Sequence, residues 1–127
     1  MSYQKDRDEF IGVIVEECQR EDAQATYRAN VPPEKRRDSA VDLARLILRN
    51  AATIQHHSIN LCNREVSAAE QTAAQRAKDR IEAACEPWGI KPNFGGDPRG
   101  CCVKLLLPSG RWNSFGGREV GFCVPIR

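Results

Sequence analysis

The chain has 127 residues, of which 41% are hydrophobic and 28% are charged, so it is long enough for one hydrophobic core and too short for two large domains. With 19 basic and 17 acidic side chains the net charge is +2, too balanced for a protein whose whole surface follows a nucleic acid. No apolar run reaches the roughly 18 residues of a membrane span, and the opening MSYQKDRDEF is charged where a secretion signal is apolar. We therefore expect a single intracellular domain, residues 1–127, without a membrane partner.

The composition changes sharply near Pro87 and divides the chain into two parts. Residues 1–86 carry 13 basic and 15 acidic side chains with one glycine, whereas residues 87–127 carry 6 basic and 2 acidic side chains with eight glycines. Five of the eight aromatic residues also fall in the second part. The pattern predicts a helical framework over 1–86 and a basic, glycine- and aromatic-rich β module over 87–127.

The first part has the apolar spacing of helices. Apolar residues recur every three or four positions from Phe10 to Cys18, which predicts an amphipathic helix over about residues 5–19. The segment 21–30 favours a shorter helix, because Pro32 and Pro33 follow it and cannot continue one.

Two longer helices are predicted next, and they form an antiparallel hairpin. Asp38 or Ser39 is a suitable N-cap for the first, which carries an apolar stripe and ends near residues 60–63. Ser67-Ala-Ala-Glu70 is a capping box that begins the second. A stripe of small residues along that helix permits close approach to another helix or another subunit, and Pro87 and the glycine after it end the helix.

The second part has the features of short strands separated by turns. The apolar run 101–107, the segment 111–115 and the segment 120–124 are separated by Pro-Ser-Gly and Gly-Gly turns. They predict a three-stranded antiparallel β-meander. The expected fold class is therefore α+β, with the small sheet packed on the helical hairpin or on another subunit.

Six cysteines raise the question of disulfides or a metal. Without a secretion signal the expected state is the reduced thiol. The chain has no C-x-x-C pair and no H-x-x-x-H pair, so the spacing typical of a zinc site is missing. We predict neither a metal nor another cofactor, and we assign no role to the adjacent His56 and His57.

The densest candidate site is the segment FGGDPRG at 94–100. Its glycines let the backbone approach a ligand closely and direct N–H groups at an anion, and an arginine fork grips phosphate or carboxylate. The alternative is a plain tight turn, with proline fixing the backbone and aspartate bonding locally. The candidate ligand-binding residues here are Phe94, Gly95, Gly96, Asp97 and Arg99.

A second group of candidates follows along the predicted meander. Asn113 offers a donor and an acceptor to a base edge, Trp112 offers a stacking surface, and the basic residues offer charge. In the alternative interpretation the aromatic rings enter the core and the arginines are solvated strand ends. The candidates are Lys104, Arg111, Trp112, Asn113 and Arg118.

Catalytic signatures are missing from the sequence. There is no G-x-S-x-G nucleophile elbow, and the second part has only Asp97 and Glu119 for acid–base chemistry. We therefore expect a protein that is not an enzyme, with a small nucleotide-cleaving enzyme as the open alternative.

The chain contains the stretch LARLILRNAATIQ, the long stretch EPWGIKPNFGGDPRGCCVKLLLPSGRWNSFGG, and the terminal FCVPIR. Together these three stretches resemble a family of small proteins from tailed-phage and prophage genomes. The resemblance covers roughly residues 43–60 and 86–127 and is most specific in GGDPRG, LPSGR and CVP. Where other members carry a cysteine-rich insertion, this chain has CNREVSAAEQTAAQRAKDR. The resemblance implies a phage origin and a location in the host cytoplasm.

A phage origin suggests a function in countering host defence, by analogy with small viral proteins that sequester signalling nucleotides. The leading hypothesis is a non-enzymatic, homo-oligomeric protein that captures a phosphate-bearing small molecule, a linear or cyclic nucleotide, in the C-terminal module. The alternative is an inhibitor or adaptor that binds a host protein or nucleic acid through the basic C-terminal face.

Overall fold

The computed structural model describes residues 3–36, 39–61, 66–95, 102–110 and 122–125. Within these ranges lie four α-helices, two short 3-10 turns and three antiparallel segments of strand. The helices are α1 (Tyr3–Gln19), α2 (Glu21–Asn30), α3 (Ala40–Leu61) and α4 (Ala68–Cys85). The strands are β1 (Lys91–Phe94), β2 (Val103–Leu106) and β3 (Phe122–Cys123). The predicted α+β class is confirmed.

The first two helices agree with the sequence prediction. Helix α1 buries the predicted stripe from Phe10 to Cys18, and α2 covers the predicted residues 21–30. Between the two helices the backbone of Arg20 is extended, with φ −64° and ψ 145°. The side-chain amide of Gln24 donates to the carbonyl of Cys18 at 2.6 Å and fixes the corner.

The end of α2 is held by an arginine. A 3-10 turn (Pro33–Lys35) follows the helix, and the guanidinium of Arg36 donates to the carbonyls of Val31 at 2.7 Å and Arg28 at 2.8 Å. The last carbonyls of a helix lack partners within the helix, so this side chain satisfies groups that would otherwise need water. The Pro32-Pro33 region is thus an ordered turn.

The predicted helical hairpin is present, and both of its caps are formed. Ser39 accepts from the backbone N–H of Asp42 at 3.4 Å, which makes Ser39 one of the two predicted caps; Asp38 lies outside the described residues. At the start of α4, the hydroxyl of Ser67 accepts from the backbone N–H of Glu70 at 3.1 Å. The carboxylate of Glu70 in turn accepts from the backbone N–H of Ser67 at 3.2 Å.

Helices α3 and α4 supply the centre of the core. Ile47 and Ala51 on α3 and Ala77 and Ile81 on α4 have no exposed surface. The middle of the small-residue stripe is therefore covered within the chain. At the end of α4 a 3-10 turn (Glu86–Trp88) leads to Gly89, whose φ of +72° is a left-handed value that favours glycine.

The sheet is antiparallel and is organised around β2. Strand β1 pairs along one edge of β2, from Lys91 opposite Leu106 to Phe94 opposite Val103. The two-residue β3 pairs along the other edge, with Cys123 opposite Lys104. Val103 and Leu105 of β2 are fully buried, so one face of this sheet packs on the core.

The order of the sheet differs from the predicted meander. In the predicted meander, segment 111–115 pairs with segment 101–107. In the structure β2 pairs directly with β3, which lies in the predicted segment 120–124. Segment 111–115 lies outside the described residues. Because β2 has only two edges, and β1 and β3 occupy them, the predicted order is wrong for the paired residues. The sequence did not predict strand β1, because it contains Pro92. Proline is found in strands mainly at the edge of a sheet, and β1 is an edge strand of this one.

Candidate functional site

The outward face of the sheet is polar and positively charged. Residues directly opposite each other in a ladder place their side chains on the same face, and side chains alternate along a strand. The register therefore puts Lys91, Asn93, Lys104 and Leu106 on the face away from the buried Val103 and Leu105. We call Lys91, Asn93 and Lys104 the outer polar face.

The two lysines of the outer polar face are diagonal neighbours. Lys91 pairs with Leu106, and Asn93 pairs with Lys104, so a diagonal of about 7–8 Å separates the Cα atoms of the lysines. Asn93 is exposed and Lys104 is half-buried. A single anionic group of the size of a phosphate can lie between two ammonium groups at this spacing, with the amide as a further donor.

The charge of the module is one-sided in the residues that the structure describes. Between Gly89 and Pro125 these residues contain Lys91 and Lys104 and no aspartate or glutamate. Both cations lie on the outer polar face. The arrangement attracts anions and disfavours a site for a cation.

Three of the ten predicted site residues lie in described segments, and they do not share one face. Lys104 belongs to the outer polar face. Phe94 is opposite Val103, and its half-buried ring packs against the hydrophobic core. A ligand on the outer polar face therefore does not stack on Phe94.

Gly95 ends β1 and begins the candidate loop. Its φ of +149° is a conformation that side chains rarely adopt, and its N–H donates to the carbonyl of Cys102 at 3.3 Å. This bond holds the two ends of the loop together at one end of the β1–β2 ladder. The other predicted site residues lie outside the described residues: Gly96, Asp97, Arg99, Arg111, Trp112, Asn113 and Arg118.

The sequence reasoning missed Lys91 and Asn93. They stand two positions apart in KPNF, and this spacing places two residues on one face of any strand. Because proline and asparagine are both depleted in strands, the segment was not identified as one and its alternation was not applied.

The described cysteines fall into three environments. Cys18 and Cys85 are buried free thiols, and Cys102 is a half-buried free thiol that bonds to the side-chain amide oxygen of Gln55. Burial, with a smaller effect of the neighbouring Cys18, raises the pKa of Cys85 from 9.0 to about 12. Cys123 is disulfide-bonded, which corrects the expectation that all cysteines are reduced thiols.

This difference predicts an order of alkylation. At pH 8 in the folded protein, iodoacetamide should modify Cys102 and leave Cys85 unmodified, because the thiolate is the nucleophile and Cys85 forms one only near its raised pKa of about 12. Peptide mass spectrometry after alkylation, with a denatured sample as control, measures the order. Equal modification of both residues in the folded state would contradict it.

The histidine pair contributes to the hairpin. His57 Nδ1 lies 3.6 Å from the carboxylate of Glu70, the residue that also completes the capping box. The contact joins the end of α3 to the start of α4. His56 meets His57 edge to face at 5.4 Å. These contacts lie within the helical hairpin.

The described ranges offer neither a metal site nor a membrane span. No group of three or more histidine, cysteine or acidic side chains there could hold a metal ion. None of the helices in these ranges combines the length and the apolar character needed to cross a membrane.

Comparison with known proteins adds no relative. No protein-family model matches the chain, and neither a curated protein nor a solved structure matches it significantly.

Proposed function

We propose that the protein is a phage-encoded, non-enzymatic binding protein that captures a phosphate-bearing small molecule, a linear or cyclic nucleotide, at its C-terminal module. The observation that carries the proposal is the outer polar face. It presents Lys91, Asn93 and Lys104 side by side, with no carboxylate among the described residues of the module.

The chemistry of this face suits a phosphate better than a neutral ligand. Two ammonium groups supply point charges without a fixed orientation, and the amide of Asn93 supplies a directional donor. All three side chains project from paired strands, whose backbone positions are fixed by the ladder. The backbone of this face therefore needs no ordering when the face binds an anion.

The flanking segments supply the remaining groups in this proposal. Arg99 follows Gly95 in the candidate loop, and Arg111 and Arg118 add further charge within the same module. Trp112 provides the surface on which a base stacks, and Asn113 reads its edge. These assignments come from the sequence.

The biological role that we propose is sequestration of a nucleotide signal of host defence, within the host cytoplasm and by a homo-oligomer. The resemblance to phage proteins supports the setting, and the lack of a catalytic motif supports retention of the ligand rather than its conversion. A host protein or a nucleic acid remains the alternative partner for the same cationic face.

The test is a binding measurement on matched variants. A native mass spectrum with a pool of linear and cyclic nucleotides first identifies a retained ligand and the oligomer that holds it. Calorimetry with that nucleotide then compares the wild type with Lys91→Gln/Lys104→Gln. We expect the double variant to weaken binding at least about tenfold, since each charge-assisted hydrogen bond contributes about 1.5–3 kcal/mol.

Lys78→Gln is the control, because Lys78 is a half-buried lysine on α4 and does not belong to the outer polar face. The Lys78→Gln variant should bind the nucleotide with the affinity of the wild type. Failure of every nucleotide to bind, or equal affinity of the double variant, would contradict the proposal. A steep loss of affinity for an oligonucleotide with rising salt would instead favour the nucleic-acid alternative.

A further inference from the structure

A separate cleft lies among the helices, away from the sheet. It has a volume of about 340 Å³, within the range of about 300–1,000 Å³ for small-molecule sites. Its apolar lining comes from the end of α2, the first half of α3 and the end of α4, and polar side chains stand at its rim. We call it the aromatic cleft; its main lining residues are Tyr27, Leu43, Leu46, Ala84, Trp88, Lys35 and Asp42.

Two stacked rings form one wall of the aromatic cleft. The rings of Tyr27 and Trp88 are nearly parallel, with centroids 4.2 Å apart and an angle of 17°. Tyr27 is half-buried and Trp88 is 7% exposed. Leu43 and Ala84 continue the wall as an apolar surface. The cleft therefore favours a ligand with a flat, apolar ring.

The walls are held in place by hydrogen bonds. The side-chain amide of Asn30 donates to the carbonyl of Pro87 at 3.2 Å, which fastens α2 to the turn that carries Trp88. The guanidinium of Arg36 fastens the neighbouring 3-10 turn to the end of α2 through Val31 and Arg28. Lys35 is therefore presented from a fixed turn.

Among the described residues that line the aromatic cleft, one side chain is positively charged and one is negatively charged. Lys35 lies on the 3-10 turn and Asp42 in the first turn of α3, and both are exposed. Among the residues that the structure describes, neither forms an ion pair with the other or with a third side chain. The rim is dipolar, unlike the outer polar face, which carries positive charge alone.

From this combination we infer that the aromatic cleft binds an aromatic zwitterion, in the simplest case a free aromatic α-amino acid. The ring lies against Tyr27 and Trp88, the ligand carboxylate faces Lys35, and the ligand ammonium faces Asp42. A phosphate monoester fits less well, because Asp42 repels its charge. The inference is independent of the function proposed for the sheet.

Three probes separate the contributions of the two charges. L-phenylalanine carries the ring and both charges, 3-phenylpropionate lacks the ammonium group, and phenethylamine lacks the carboxylate. Calorimetry should show the strongest binding for L-phenylalanine, and the indole N–H signal of Trp88 should shift in NMR spectra during the titration. We expect each one-charge probe to bind about tenfold more weakly.

Substitutions at the rim test the pairing without touching the core. Lys35→Gln should weaken L-phenylalanine and 3-phenylpropionate and leave phenethylamine unchanged. Asp42→Asn should weaken L-phenylalanine and phenethylamine and leave 3-phenylpropionate unchanged. Glu34→Gln, an exposed neighbour on the same turn that does not line the cleft, is the matched control and should bind like the wild type.

The inference is overturned if L-phenylalanine does not bind up to its solubility limit, or if all three probes bind equally in wild type and variants. The second result would indicate an apolar hole without charge recognition. Lys91→Gln/Lys104→Gln should leave L-phenylalanine binding unchanged, and Lys35→Gln should leave nucleotide binding unchanged. Failure of one site is thereby distinguished from failure of the other.

Discussion

Replacing Trp88 by alanine should lower the free energy of unfolding by about 3–5 kcal/mol, the usual cost of removing a buried tryptophan. Trp88 is 7% exposed and stacks on Tyr27 at 4.2 Å. Trp88 also lies in the turn between α4 and β1, so its removal leaves a cavity between α2 and α4. For a domain with a total stability of about 5–15 kcal/mol, such a loss is a large fraction.

Urea unfolding followed by circular dichroism measures this change. Trp88→Phe retains an aromatic ring and should recover part of the stability. A double-mutant cycle that combines Trp88→Leu with Tyr27→Leu should give a coupling energy of about 0.5–1.5 kcal/mol, the contribution of an aromatic pair beyond its area. If Trp88→Ala unfolded at the same urea concentration as the wild type, the result would show that the stack of Tyr27 and Trp88 does not anchor α2.

Replacing Glu17 by alanine should lower the free energy of unfolding by about 2–4 kcal/mol, since a hydrogen bond to a charged group contributes about 1.5–3 kcal/mol. Glu17 is 1% exposed at the end of α1. Its carboxylate accepts from the backbone N–H of Ser109 at 3.3 Å and from the hydroxyl of the same residue. Without the carboxylate, these two donors lose their acceptor.

Thermal unfolding of a matched set checks this contribution. Glu17→Gln keeps the volume and one acceptor oxygen, so it should lose less stability than Glu17→Ala. Ser109→Ala should also destabilise the protein. The double variant should lose less stability than the sum of the two single variants, because the hydroxyl bond that Ser109→Ala removes is one of the two bonds that Glu17→Ala removes. Glu9→Ala, at an exposed position on the same helix, should change stability by less than about 0.5 kcal/mol. A destabilisation by Glu9→Ala as large as that by Glu17→Ala would refute the assignment.

The helices could be predicted from the sequence because their signals are local. The spacing from Phe10 to Cys18 and the capping box at Ser67 each depend on residues within a few positions. The buried Glu17 could not be found in this way, since its partner is 92 positions away. A glutamate at that position of a helix pattern is ordinarily an exposed residue.

The sheet and the candidate site depend on contacts between distant segments. Pairing of β3 with β2 cannot be read from either segment alone, and a turn-rich sequence favours the nearest partner. Lys104 was among the candidate ligand-binding residues from the sequence, but its neighbours Lys91 and Asn93 become visible only with the register. The aromatic cleft likewise joins Tyr27 and Trp88, which lie 61 positions apart in the chain.

The position of β2 makes the sheet sensitive to truncation of the chain. Strand β1 precedes β2, whereas β3 follows only after the 15 residues that separate Leu106 from Phe122. In a released chain that lacks β3, the edge of β2 that β3 covers exposes unpaired backbone groups, the kind of template on which chains aggregate. Chains cut before residue 122, by premature termination or by a protease, would thus be more prone to aggregation than chains that retain β3.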